Sequence, residues 1–343
     1  MDKLRTTNLL LLVIVVPLVF YLLKILSFIF IPLVFSMFIA LLFLPIMRWL
    51  AKKNIPKPIS ILVVVLLISA GVKIGVELIH ISSQEILDSD SDFFVKAEEK
   101  MNELLLVIQD TFGFKMDNKQ NVLQQFVQKD NIGNTLDFVR RTVTMILMTI
   151  FFVVLWLAES INIQKVLQST LLKQRHTSLK TFFKIEKDLI KFIKVKFFVS
   201  LATGIGTGLA CVFFDVSFPI FWGLFAFIIN FVQMVGSIIT VVLLSAFAFI
   251  ELEPTSTLFF FIISITGVQV LFGTILEPIF MGKSFSLNVI TVLVMLMLWG
   301  FIWGVPGLIM AIPITVFVKI ILEQFKTTKV IANLLSANGK ELG

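Results

Sequence analysis

Apolar residues in this chain fall into long blocks, not the period-two alternation of a half-buried strand or the one-sided stripe of a soluble helix. Runs at Leu9–Leu23, Ile25–Met47, Ile59–Ile79, Thr142–Ala158, Phe197–Phe214 and Thr257–Leu276 predict membrane-spanning helices. A span needs about 20 apolar residues. The first run is short, and Lys24 lengthens it by snorkelling to the interface. Two further runs are too long, Val216–Ile250 with 35 residues and Phe285–Val318 with 34. A straight helix of 34 residues would measure about 51 Å against a hydrocarbon core of about 30 Å.

Both overlong runs are interrupted near the middle. The first break is Asn230-Phe-Val-Gln233-Met-Val-Gly236-Ser237, the second Gly300-Phe-Ile-Trp-Gly304-Val-Pro306-Gly307. Free backbone groups are costly in lipid, so such breaks belong inside protein or beside a watery cavity. Each run is then either one kinked span, giving eight crossings, or a hairpin that enters and returns, giving six crossings. The hairpin version places one hairpin on each side of the membrane. That is an inverted repeat, the plan of many secondary transporters, with solute bound where helices break. The expected fold is all-α and polytopic, with two broken or re-entrant hairpins in the C-terminal half.

Two polar segments divide the spans. His80–Asp137 has eleven acidic and five basic residues, and Glu159–Lys196 has nine basic and three acidic. Both show helical spacing and are expected to be solvated helices lying against the membrane or a neighbour. Lys and Arg in short flanks stay cytoplasmic. Lys3 and Arg5, then Arg48, Lys52, Lys53 and Lys57, then the basic segment, alternate consistently with both termini inside. Asp2, Lys3 and Arg5 precede an apolar run without a small-residue cleavage site, so the start reads as a retained helix. The expected organisation is three helices over 1–79, an extracytoplasmic polar segment over 80–137 and a fourth helix over 138–158. Cytoplasmic basic helices over 159–196, a transport core over 197–322 and a cytoplasmic tail over 323–343 complete it.

Composition agrees with lipid as the solvent: 58% hydrophobic, 15% charged, mean hydropathy +1.00. Soluble domains carry about 25% charge. The net charge of +7 follows topology and does not point to nucleic acid. A single Cys excludes a disulfide framework or a CxxC site. No HExxH, Walker or triad pattern occurs, so no enzyme activity or cofactor is expected, and uphill transport would draw on an ion gradient.

The segments Pro219-Ile-Phe-Trp-Gly-Leu-Phe-Ala-Phe-Ile-Ile-Asn-Phe, Val235-Gly-Ser, Glu277-Pro-Ile-Phe-Met-Gly-Lys283-Ser and Gly304-Val-Pro-Gly-Leu-Ile-Met-Ala-Ile-Pro313 carry a resemblance. In order and spacing this stretch resembles the autoinducer-2 exporter family of bacterial permeases. The resemblance implies a homo-oligomeric inner-membrane permease that exports autoinducer-2 or exchanges sodium for protons. Where that family usually has proline after Asn-Phe-hydrophobic, this chain has Gln233.

Candidate solute-binding residues are Asn230, Gln233, Gly236, Ser237, Gln269, Gly304, Pro306 and Gly307, with the solute between the two breaks. The partners expected are membrane lipid and a small polar solute. Glu277 is a carboxylate at membrane depth, where ionisable groups default to function. With Lys283 it is the candidate for coupling to sodium ions or protons; capping a helix end is its structural alternative. Gly204, Gly206 and Gly208, with Thr203 and Thr207, form a small-residue face expected to pack closely on a neighbour. Lys73 and Glu77, four residues apart, are expected to pair. Besides solute export, two readings stay open: a sodium(lithium)/proton antiporter, and a membrane scaffold that transports nothing.

Overall fold

A computed structural model describes residues 2–88, 100, 132–171, 176–232, 235–252, 256–282, 287–323 and 328–336. Gln233, Lys283 and most of the 80–137 segment lie outside the described residues, as do most of the 323–343 tail and the 172–175 stretch. Among the described residues the chain is helical, and its only β feature is an isolated bridge between Leu287 and Ser336.

Three helices open the chain: α1 (Asp2–Ile25), α2 (Ser27–Lys52) and α3 (Lys57–Asp88). Then come α4 (Ile132–Leu171) and α5 (His176–Phe213). Two short helices follow, α6 (Pro219–Ile229) and α7 (Val235–Glu251). A composite rod is next, α8 (Ser256–Gln269), a π-helical segment (Val270–Leu276) and α9 (Glu277–Met281). The chain ends with α10 (Val289–Trp303), α11 (Val305–Glu323) and α12 (Lys329–Leu335). Six stretches are long and apolar enough to cross a bilayer: Ser27–Lys52, Lys57–Glu85, Arg140–Glu159, Phe183–Phe213, Ser256–Met281 and Val305–Glu323. They face outward through large apolar residues such as Leu62, Phe151, Phe198, Phe259 and Val305. In water that surface would be unstable, and in lipid it is the solvent-facing side.

The two overlong apolar runs reverse direction. At 1.5 Å per residue α6 is about 16 Å long and α10 about 22 Å, too short to cross. Phe218 at the start of α6 lies 5.7 Å in ring-centroid distance from Phe247 near the end of α7, so these arms are antiparallel. In the second pair, a Cβ on Gly300 would meet the side chain of Leu308 at 2.8 Å. Both turns use one steric device. A Cβ on Gly236 would fall 2.0 Å from the carbonyl oxygen of Ile229, and one on Gly307 would fall 1.9 Å from that of Trp299. Only glycine lets the returning strand of chain approach so closely.

These hairpins open toward opposite ends of the bundle. Phe214 of the loop after α5 stacks edge-on against Phe261 of α8, with centroids 5.6 Å apart, while Lys196 of α5 meets Glu277 of α9. The α5 helix and the composite rod therefore run antiparallel. The α6–α7 hairpin opens beside the Phe213 end, where Glu251 accepts hydrogen bonds from the backbone N–H (2.9 Å) and hydroxyl of Ser217. The α10–α11 hairpin opens beside the Met281 end, where Asn288 caps α10 by accepting from the N–H of Ile290 at 3.1 Å. A span followed by a hairpin thus occurs twice in opposite senses.

Two details depart from expectation. The α5 helix is continuous through Lys196, so the second part of the basic segment, from His176 on, and the fifth span form one rod of 38 residues, about 57 Å long. Lys73 and Glu77 lie on α3 but are not among the ion pairs of the described residues. Both side chains are exposed.

Candidate functional site

The small-residue face of α5 has the packing role its composition suggests. A Cβ on Gly204 would come within 2.7 Å of the carbonyl oxygen of Gly223, and one on Gly208 within 3.2 Å of that of Pro219. This contact draws α6 down along α5 and delivers the α6 C-terminus to the middle of the span. There Asn230, 4% exposed, donates from Nδ2 to the hydroxyl of Ser200 at 3.0 Å.

On the other side of the same point lies the π-helical segment. Such segments are rare and frequently mark functional sites. A Cβ on Gly273 would meet Ser237 Oγ at 3.3 Å and Asn230 Oδ1 at 3.9 Å. With no Cβ, Gly273 brings the rod's backbone close against these two polar groups. Asn230, Ser237 and Gly273 are thus brought together with Ser200 at the first hairpin tip.

Polar groups continue in both directions from this tip. Lys196, Ser200, Thr203 and Thr207 share one face of α5 at intervals of four, three and four, and all four are buried. They span about 16 Å of helix. Toward one end Lys196 Nζ contacts Glu277 Oε1 at 2.8 Å and Oε2 at 3.0 Å, with both side chains 3% exposed. A lone charge there would be prohibitively desolvated, and the bidentate contact leaves the pair neutral as a unit. Toward the other end Thr207 and Gln269 are buried, and neither the hydroxyl of Thr207 nor the amide N and O of Gln269 has a hydrogen-bond partner. Leaving such groups unmatched costs about 1–3 kcal/mol each. Among the described residues, no cluster of three or more His, Cys, Asp or Glu could hold a metal ion.

The second break makes its contacts elsewhere. Trp303 donates from its indole nitrogen to the carbonyl of Leu23 at 3.0 Å, and Lys24 sits 3.9 Å from the ring centroid of Phe301. Gly304 has a positive φ of 64° and is exposed, and Pro306 is partly buried. Gly307 closes the turn. Sequence reasoning missed Lys196 and Ser200, since Lys196 was counted with a solvated basic run. The signal was their spacing with Thr203 and Thr207, a polar stripe on an otherwise apolar helix.

The family model described as AI-2E family transporter matches residues 9–327. A "Putative transport protein" of Haemophilus influenzae (strain ATCC 51907 / DSM 11121 / KW20 / Rd) is 25% identical over 89% of this chain and 89% of its own length. The "Putative transport protein YrrI" of Bacillus subtilis (strain 168) is 25% identical over 87% of this chain and 86% of its own. The "AI-2 transport protein TqsA" of Escherichia coli (strain K12) is 30% identical over 44% of this chain and 43% of its own. A polytopic helical bundle with a buried polar track, matched over nearly its whole length, is an integral membrane transporter, and the chain belongs to the AI-2E transporter family.

Proposed function

We propose that this transporter exports a small, uncharged, hydroxyl-bearing solute across the bacterial cytoplasmic membrane by alternating access, with autoinducer-2 or a related signal molecule as its cargo. The observation that carries this reading is Gln269, 3% exposed with both polar ends of its amide unpartnered. It sits one turn from Gly273, which packs closely against Asn230 and Ser237. An amide offers two donors and one acceptor, and hydroxyls offer both, a set that suits a polyol. The charges in the track are matched to each other, so a neutral cargo leaves them undisturbed. The relative named for AI-2 transport supports the choice of cargo.

In this reading α1–α4 form a scaffold and homo-oligomer contact, and 197–322 form the transport core. Gln233, beside the tip in sequence, joins the solute site, and Gly304, Pro306 and Gly307 shape the second hairpin. Proteoliposome efflux of autoinducer-2 tests the proposal. Asn230→Ala and Gln269→Leu should each reduce flux at least tenfold while the protein stays folded. Normal flux in both would remove the site.

A sodium/proton antiporter is the second reading, favoured by the depth of Glu277. Its partner is Lys196, so cation or proton exchange would require that pair to open. Glu277→Gln would then abolish gradient-dependent ion exchange while solute flux is absent in the parent protein. Lys283, two residues past Met281 in the sequence, would be the second cation in that reading.

A further inference from the structure

At the basic end of the bundle a groove of about 460 Å³ runs between the end of α2 and α5, lined by Arg48, Trp49, Lys52, Phe183, Lys187 and Ile190. Its volume falls in the range of about 300–1,000 Å³ typical of ligand sites. Three cations stand around it against one acid, Glu186, which is already engaged by Arg48 in the ion pair that ties α2 to α5. Lys52 and Lys187 are exposed, and Lys53 lies just outside, 4.1 Å from the ring centroid of Trp49. Trp49 is itself 54% exposed, the placement of an aromatic ring at headgroup depth. Beyond it Pro45, Phe183 and Ile190 make an apolar wall, each on a helix long and apolar enough to cross the membrane.

We propose that this groove is a binding site for an anionic phospholipid, with the phosphate held by Lys52, Lys187 and Arg48 and the acyl chains laid along Pro45, Phe183 and Ile190. A basic rim above an apolar wall matches an amphiphile and fits a soluble anion poorly, because such an anion would leave the wall uncovered. Basic pockets between membrane helices recognise headgroups in this way. The proposal does not depend on which solute is carried.

Native mass spectrometry of the full-length protein, titrated separately with phosphatidylglycerol and phosphatidylcholine, provides the test. The wild type should prefer phosphatidylglycerol. Lys52→Gln/Lys187→Gln should weaken that lipid by about tenfold or more and leave phosphatidylcholine unchanged, since each cation near an anionic headgroup contributes appreciably. Arg48 stays in place so that its bond to Glu186 survives. A Lys326→Gln/Lys329→Gln protein, with the same charge change at the C-terminal end, should bind like the wild type. Equal loss in that control would show general surface charge and overturn the site. Displacement of the lipid by millimolar inorganic phosphate would show a soluble-anion site and overturn the lipid assignment, as would unchanged selectivity in the double variant.

Discussion

The two hairpins share a fold and differ in chemistry. In each, a glycine of the returning arm presses on a carbonyl of the entering arm, Gly236 on Ile229 and Gly307 on Trp299. At the first tip the chain then presents Asn230 to Ser200 and to the backbone at Gly273. At the second it presents Trp303 to the backbone of α1. The turn is a steric solution that any apolar sequence with a well-placed glycine can reuse. Polar side chains inside the bundle are a separate acquisition, and only the first tip lies on the buried stripe of α5. Architectural symmetry is therefore a poor guide to where solute binds.

The most severe break in this comparison is at the ion pair below the first tip. Lys196→Met or Glu277→Gln should each destabilise by about 3–5 kcal/mol, because one buried charge loses its partner. The double variant should recover much of that loss, measured by thermal unfolding in detergent. In the second hairpin, Glu323→Gln should cost less, about 1–3 kcal/mol, since Lys319 is 2% exposed but Glu323 is 31% exposed and partly screened. Next come the turns. Gly236→Ala and Gly307→Ala should cost similar amounts, about 3 kcal/mol each, with transport lost in both. Unequal costs would mean that one turn is not held by this contact.

The comparison sharpens with smaller changes. Gln269→Leu should leave stability unchanged or raise it by about 1 kcal/mol, because an unmatched amide is removed, while flux falls at least tenfold. Trp303→Phe should cost about 1 kcal/mol for the lost bond to Leu23 and leave flux within twofold. A large flux defect in Trp303→Phe would bring the second tip into the solute path.

Much of the architecture was legible because lipid imposes a length rule. Runs that exceed the bilayer must bend, and Asn230–Ser237 and Gly300–Gly307 announced where. The burial of Glu277, Gln269 and Asn230 followed from polar residues standing in apolar runs. Lys196 was hidden by its neighbours, since only its spacing with Ser200, Thr203 and Thr207 separates it from the other eight cations of a basic run. Its burial depends on a carboxylate 81 residues away. The π-helical winding of Val270–Leu276 was hidden for a different reason. No residue type marks such a segment.

The unbroken length of α5 has a mechanical meaning. Glu186, which anchors the helix to α2 beside the headgroup groove, and Lys196, which closes the polar track, are ten residues apart on one stiff rod, about 15 Å. A helix transmits rotation about its axis with little loss over that distance. A rotation of α5 that loosened Glu186 from Arg48 would also turn Lys196 against Glu277, so the two ion pairs share one rigid lever.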